Sequence, residues 1–209
     1  MILFVDTETT GLPRDYRSPS SDTANWPHMV TISWLVMADA DKTIAARNYI
    51  RRPDGFDIPE QASAIHGVTT EIAREQGVCV DDILGRLLLD LRYCDTVVAH
   101  NAAFDQAIIE AEFHRRGSPV RPVFERTKIE CTMQIGTIVC KIPGRYSGFK
   151  WPNLTELHQH LFGEGIADQH TSTADVLACA KCYWKMRNDH AQAKRISPTK
   201  VALENGRDH

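Results

Sequence analysis

Apolar positions along this chain follow two rhythms. Met1-Ile2-Leu3-Phe4-Val5 is a continuous apolar run with β-branched and aromatic members, which predicts a short strand buried on both faces. Thr31–Ala38 and Ile44–Arg51 read as two more strands, and the polar Asp39-Ala40-Asp41-Lys42 between them predicts a hairpin beside the first strand. Thr96-Val97-Val98-Ala99 predicts a fourth. The helical rhythm is clearest from Asp81 to Tyr93, where Ile83, Leu84, Leu87, Leu88 and Leu91 share one stripe. Two short helical stretches precede it, one running from Ile58-Pro59 to Ile65-His66-Gly67-Val68 and one from Thr69 to Gly77. Further helices are expected from about Ala102 to Arg116, closed by Gly117, then from Leu154 to Phe162 and from Thr173 to Arg187. Cys131–Ile142 is apolar and reads either as a strand leading into a helix or as one long helix. Residues 12–28 and 119–130 read as loop and connector.

Strands and helices interleave, with the hairpin first and crossover helices after it. That order predicts an α/β fold, a mixed β-sheet of antiparallel hairpin plus parallel strands, flanked by helices on both faces. The predicted domain covers residues 1–187, and residues 188–209 form a polar C-terminal tail that carries Pro198.

Composition narrows the class only a little. With 43% apolar and 24% charged residues, the chain can bury a core of ordinary size. No run approaches the roughly 18 apolar residues of a membrane span. The first strand begins without a basic flank, so no signal peptide is read and a cytoplasmic location is expected. The six cysteines are then expected as reduced thiols. A net charge of −3 argues against a DNA binder with a broad basic face, but not against a nuclease, whose site must be acidic to hold metal.

The candidate chemistry lies in the acids. Side chains alternate along a strand, so Ile2, Phe4, Asp6 and Glu8 leave one face. Two close carboxylates repel and raise each other's pKa. A divalent cation relieves that repulsion, and hard oxygen ligands suit Mg²⁺ or Mn²⁺. On Asp6-Thr7-Glu8 alone, a strand ending in a solvated polar turn is the alternative. A third acid, Asp105, closes His100-Asn101-Ala102-Ala103-Phe104-Asp105, directly after a buried strand. A fourth, Asp175, shares a helical stripe with Cys179, Cys182 and Met186. On that otherwise apolar stripe it needs a partner or a metal. His170 precedes the helix and can arch over the same place from a loop. Residues 141–151 interleave Lys141, Arg145 and Lys150 with Tyr146, Phe149 and Trp151, a mixture that fits phosphate contact and base stacking, or a plain surface loop. The remaining histidines read as surface or satisfied polar groups, and His100 as shaping the strand end.

Together, Asp6-x-Glu8, His100-Asn101-x-x-Phe104-Asp105 and His170 followed by Asp175 resemble the three motifs of the DEDD superfamily of 3′–5′ exonucleases, histidine subgroup. This DnaQ-like family includes the DNA polymerase III epsilon subunit, ribonuclease T, oligoribonuclease and the mammalian three-prime repair exonucleases. Ile65-His66-Gly67-Val68-Thr69 also resembles a segment of the epsilon-like branch. The resemblance implies a ribonuclease H-like fold and a metal-dependent enzyme that releases nucleoside 5′-monophosphates from 3′ ends. It implies that Asp6, Glu8, Asp105 and Asp175 hold two Mg²⁺ or Mn²⁺ ions and that His170 is the general base. It further implies substrate contacts from Thr7, Glu8, Thr9, Leu12, His66, Asn101 and Phe104. The implied partner is a single-stranded or frayed 3′ end of DNA in proofreading or repair, with a DNA polymerase as a candidate protein partner. A 3′–5′ exoribonuclease and an inactive polymerase-binding subunit remain the alternatives.

Overall fold

The structure, a computed structural model, describes residues 1–117, 124–166 and 171–196. Three strands come first: β1 (Ile2–Thr9), β2 (Met29–Asp39) and β3 (Lys42–Ile50). Helices α1 (Glu60–His66), α2 (Thr70–Gln76) and α3 (Val80–Leu91) lead to β4 (Thr96–Ala99) and α4 (Ala102–Arg115). Then follow β5 (Lys128–Cys131), α5 (Thr132–Cys140), α6 (Leu154–Phe162) and α7 (Ser172–Ile196).

The five strands form one sheet in the order β3-β2-β1-β4-β5. β1 pairs antiparallel with β2 and parallel with β4, and β4 pairs parallel with β5. The expected mixed sheet is present, with β1 at its centre. Alternation along β1 divides the core. Leu3 and Val5 enter the layer with Ile83 and Leu87 of α3 and with Ile108 and Ile109 of α4. Ile2 and Phe4 enter the opposite layer with Leu157 of α6 and with Val176, Cys179 and Cys182 of α7. Each such fully buried Leu, Ile or Phe contributes about 1.5–3 kcal/mol by leaving water, so the two layers fix which way every residue of β1 faces.

Two boundaries differ from the sequence reading. The stretch expected as connector contains β5, an edge strand whose Lys128 and Glu130 pair with each other on one face and break the apolar pattern. Cys131 then ends a strand that leads directly into α5, which decides between the two readings of that segment. The last helix continues past Arg187 to Ile196. Its continuation has no apolar stripe, but Ala, Gln, Lys and Arg are strong helix formers, and Lys185 pairs with Asp189 one turn on. Residues 119–123 of the connector, and the tail beyond 196, lie outside the described residues. No helix among the described residues is long and apolar enough to cross a membrane.

Candidate active site

Because Ile2 and Phe4 face α7, Asp6 and Glu8 continue onto that same face where the strand leaves the core. α7 starts there, and its first turn carries Asp175. Carboxylate oxygens of Asp6, Glu8 and Asp175 come within 4.8 Å of one another. Three hard anionic donors at that separation suit a divalent cation.

Asp105 reaches the place from the opposite layer, in the first turn of α4. Thr7, the residue between the two acids of β1, faces that layer. Its amide and its hydroxyl both donate to Oδ1 of Asp105, at 2.9 and 2.8 Å. Asp105 is almost fully buried. Its oxygen is thus tied to the backbone of β1, and its charge still acts on the cluster. Burial, then the charges of Asp105, Asp175 and Glu8, push the Asp6 carboxyl well above the usual carboxylate range. Burial and the charges of Asp175 and Asp105 raise Glu8 to about 8. Burial raises Asp105 to about 7 against the opposing pull of the Thr7 hydrogen bonds. The acids therefore resist ionising together, and a bound cation would reverse the balance.

A cluster of hydroxyls seats the start of α7 on the sheet. Ser33 and Thr31 of β2 stand opposite Asp6 and Glu8. The Ser33 hydroxyl lies 2.8 Å from that of Ser172 and 3.1 Å from that of Thr173, and Thr31 donates to Ser172 at 3.1 Å. Sequence reasoning did not find these residues. The available signal was a serine inside the apolar run Ile32-Ser33-Trp34, level with Asp6 once the register is known.

The other candidates ring the same strand end. Asn101 caps α4 with a left-handed backbone, φ 71°, an uncommon conformation for a residue other than glycine. Phe104 sits 6.5 Å from the rings of both Tyr16 and Trp26. Leu12 is largely exposed beyond the strand. His66, at the end of α1, is buried, and its Nδ1 accepts the Val68 amide at 3.2 Å. That contact puts the ring proton on Nε2, which has no partner of good hydrogen-bond geometry. Burial lowers the His66 pKa, opposed by the backbone of Thr9 at the end of β1. His100 is held away from the acids: its ring nitrogens lie 3.0 Å from the Thr132 hydroxyl and 3.1 Å from the Pro152 carbonyl. His170 lies outside the described residues.

Comparison with known proteins agrees with this arrangement. The exonuclease family model RNase_T matches residues 3–183. An uncharacterised exonuclease, CP81, of Escherichia phage 186 is 25% identical over 178 residues, covering 83% of this chain and 81% of the phage protein. Among solved structures, E. coli Exonuclease I in complex with a dT13 oligonucleotide superposes with a TM-score of 0.72 at 14% identity, over 93% of this chain. This chain spans only 42% of that one. Exonuclease X in complex with 5′ overhanging duplex DNA superposes with a TM-score of 0.59 at 21% identity, over 91% of this chain and 93% of that one. The structural likenesses establish the ribonuclease H-like fold that the resemblance of the motifs implied. Since the family match runs from β1 through the first half of α7, the chain belongs to the RNase_T exonuclease family, the DnaQ-like 3′–5′ exonucleases that its three motifs resemble.

Proposed function

We propose that this chain removes nucleoside 5′-monophosphates from single-stranded or frayed 3′ ends of DNA, using two divalent ions. The observation that carries the reading is the convergence of Asp6, Glu8 and Asp175 from two elements, with Asp105 fixed behind them on Thr7. Asp6, Glu8, Asp105 and Asp175 would hold Mg²⁺ or Mn²⁺; when bound, such ions supply an activated water and neutralise charge developing on the phosphate and the leaving oxygen. The chain's own groups do the rest. His170 takes the proton of the attacking water, a task suited to a group that titrates near neutral pH. The backbone of Thr7, Glu8 and Thr9 meets the terminal nucleotide, with His66 supporting Thr9 from behind. Leu12 wedges against the last bases, while Asn101 and Phe104 line the scissile end. The DNA in the Exonuclease I and Exonuclease X complexes favours DNA over RNA as the substrate.

The test is a time course on 5′-labelled single strands of DNA and RNA of equal sequence, with Mg²⁺, Mn²⁺ or EDTA. A metal-dependent ladder shortening from the 3′ end of DNA is expected. A ladder on RNA alone would move the substrate to RNA, and no cleavage of either strand would overturn the reading. Replacing His170 by alanine should lower turnover far more than single-strand affinity. An equal loss of both would make His170 a substrate contact instead.

A further inference from the structure

Acids outnumber bases in this chain, yet between Glu130 and Glu156 there is none. The middle of that stretch, residues 141–151, folds into a small hairpin. Pro143 bridges Phe149 in antiparallel fashion, the Gly144 amide donates to the Gly148 carbonyl at 2.9 Å, and the Lys150 amide donates to the Ile142 carbonyl at 2.9 Å. Gly148 supplies the left-handed residue of the turn, φ 71°. The aromatic rings do not pack inward: Tyr146 is 90% exposed, Trp151 64% and Phe149 51%. Three exposed rings on one short hairpin offer apolar surface of the kind that marks an interaction site. Cations are interleaved with them. Arg145 lies 5.5 Å over the Tyr146 ring, Lys141 follows the end of α5, and Lys150 pairs with Glu156.

One end of the hairpin is fixed to the end of β4, just before the helix that carries Asp105. The Pro152 carbonyl accepts a hydrogen bond from His100 Nε2, and His100 directly precedes Asn101 and the helix carrying Asp105. Trp151 is therefore one residue from a contact with the site's rim, and Tyr146 is at the far tip.

We propose that the hairpin 141–151 is a docking arm for the single-stranded DNA upstream of the 3′-terminal nucleotides. Tyr146, Phe149 and Trp151 stack on bases, and Lys141 and Arg145 meet phosphates. The inference rests on the exonuclease function proposed above. Charge selects the occupant: a polyanion with aromatic faces matches interleaved cations and exposed rings, whereas an apolar protein surface would bury the cations unpaired. The arm adds affinity only for strands long enough to reach it.

Two substrates separate the arm from the chemistry: a long thymidine oligonucleotide, and the p-nitrophenyl ester of thymidine 5′-monophosphate, which has no upstream strand. In the triple variant Tyr146→Ala, Phe149→Ala, Trp151→Ala, KM for the oligonucleotide should rise about tenfold or more. Turnover of the ester should be unchanged, which also reports an intact fold. The pair Lys141→Gln, Arg145→Gln should lower the salt dependence of oligonucleotide binding by roughly one unit of slope. An unchanged KM in the triple variant would overturn the arm and leave the exonuclease function standing. If the wild-type chain hydrolyses neither substrate, the exonuclease function fails, and anisotropy of the labelled oligonucleotide in EDTA decides the arm alone: equal binding by wild type and triple variant overturns it.

Discussion

Acids withdrawn from water are handled in opposite ways in two regions of this molecule. Glu112 of α4 is completely buried, and cations surround it. Its Oε1 lies 2.5 Å from Arg51 and 2.7 Å from Arg115, and it accepts the Met29 amide at 2.9 Å. Burial alone would raise its pKa, but the His28 hydrogen bond, the two guanidinium groups and the Met29 amide outweigh it and hold the carboxyl below its ordinary value. Asp6 and Glu8, half-buried, and Asp105, buried, share the strand end with no cation beside them among the described residues, and their pKa values rise. The same helix, α4, carries both kinds of acid, Asp105 at its start and Glu112 two turns on. The contrast separates a carboxylate that holds the fold together from carboxylates kept short of positive charge for a metal to supply.

The largest effect should come from Asp6→Asn, which is expected to abolish hydrolysis while leaving the metal-free protein at least as stable as wild type. Activity assays paired with urea denaturation in EDTA check both halves, and a large loss of metal-free stability would break the contrast. Glu112→Gln should do the reverse. It takes the shared anion from buried Arg51 and half-buried Arg115, leaving Arg51 with Asp54 and Arg115 with backbone carbonyls, and should cost about 3 kcal/mol in the same denaturation experiment. Adding Arg51→Met should recover part of that loss, because the two sites are directly coupled. A smaller effect is expected of Thr7→Val, which removes the hydroxyl donor to Asp105 but keeps the shape. Turnover should fall about tenfold, equivalent to about 1.4 kcal/mol, with single-strand KM unchanged and with rescue by Thr7→Ser. A matching rise in KM would instead make Thr7 a substrate contact.

The mildest prediction concerns pH. Burial, opposed by the Pro152 hydrogen bond, holds His100 down at about 4. In the unfolded chain the imidazole takes its proton near about pH 6.5. Between those values the unfolded state binds more protons, so this contribution to stability is intact above about pH 6.5 and is lost as the pH falls toward about 4. His100→Gln should flatten that limb of a stability–pH profile. An unchanged limb would assign the acid sensitivity to other groups.

The sequence carried the site further than it carried the fold's edges. Asp6, Glu8 and Asp175 announce themselves because acids are conspicuous at the end of an apolar run or on an apolar stripe. β5 does not, since an edge strand in which charged Lys128 and Glu130 alternate with Ile129 and Cys131 over four residues has too short a pattern to read. The Glu112 network was equally hidden: Arg51, Arg115 and His28 are far apart in sequence, and each looks like a surface residue until the chain folds. Thr7 shows the limit within a motif. Alternation gives the face it points to, but not that Asp105 would be waiting there.

The position of β1 at the middle of the sheet has a dynamic consequence. Edge strands such as β3 and β5 can open locally at little cost, while a strand paired on both sides exchanges its amide hydrogens only in the largest openings. Ile2, Leu3 and Phe4, paired with both β2 and β4, belong to that last part of the molecule to come undone; Asp6 and Glu8 lie beyond the pairing with β4 and keep β2 as their ladder partner, and the Thr7 amide between them is held by Asp105 instead. Local opening of β3 or β5 would leave Asp6 and Glu8 in register on β2, so that loss of activity on heating should coincide with global unfolding and not precede it.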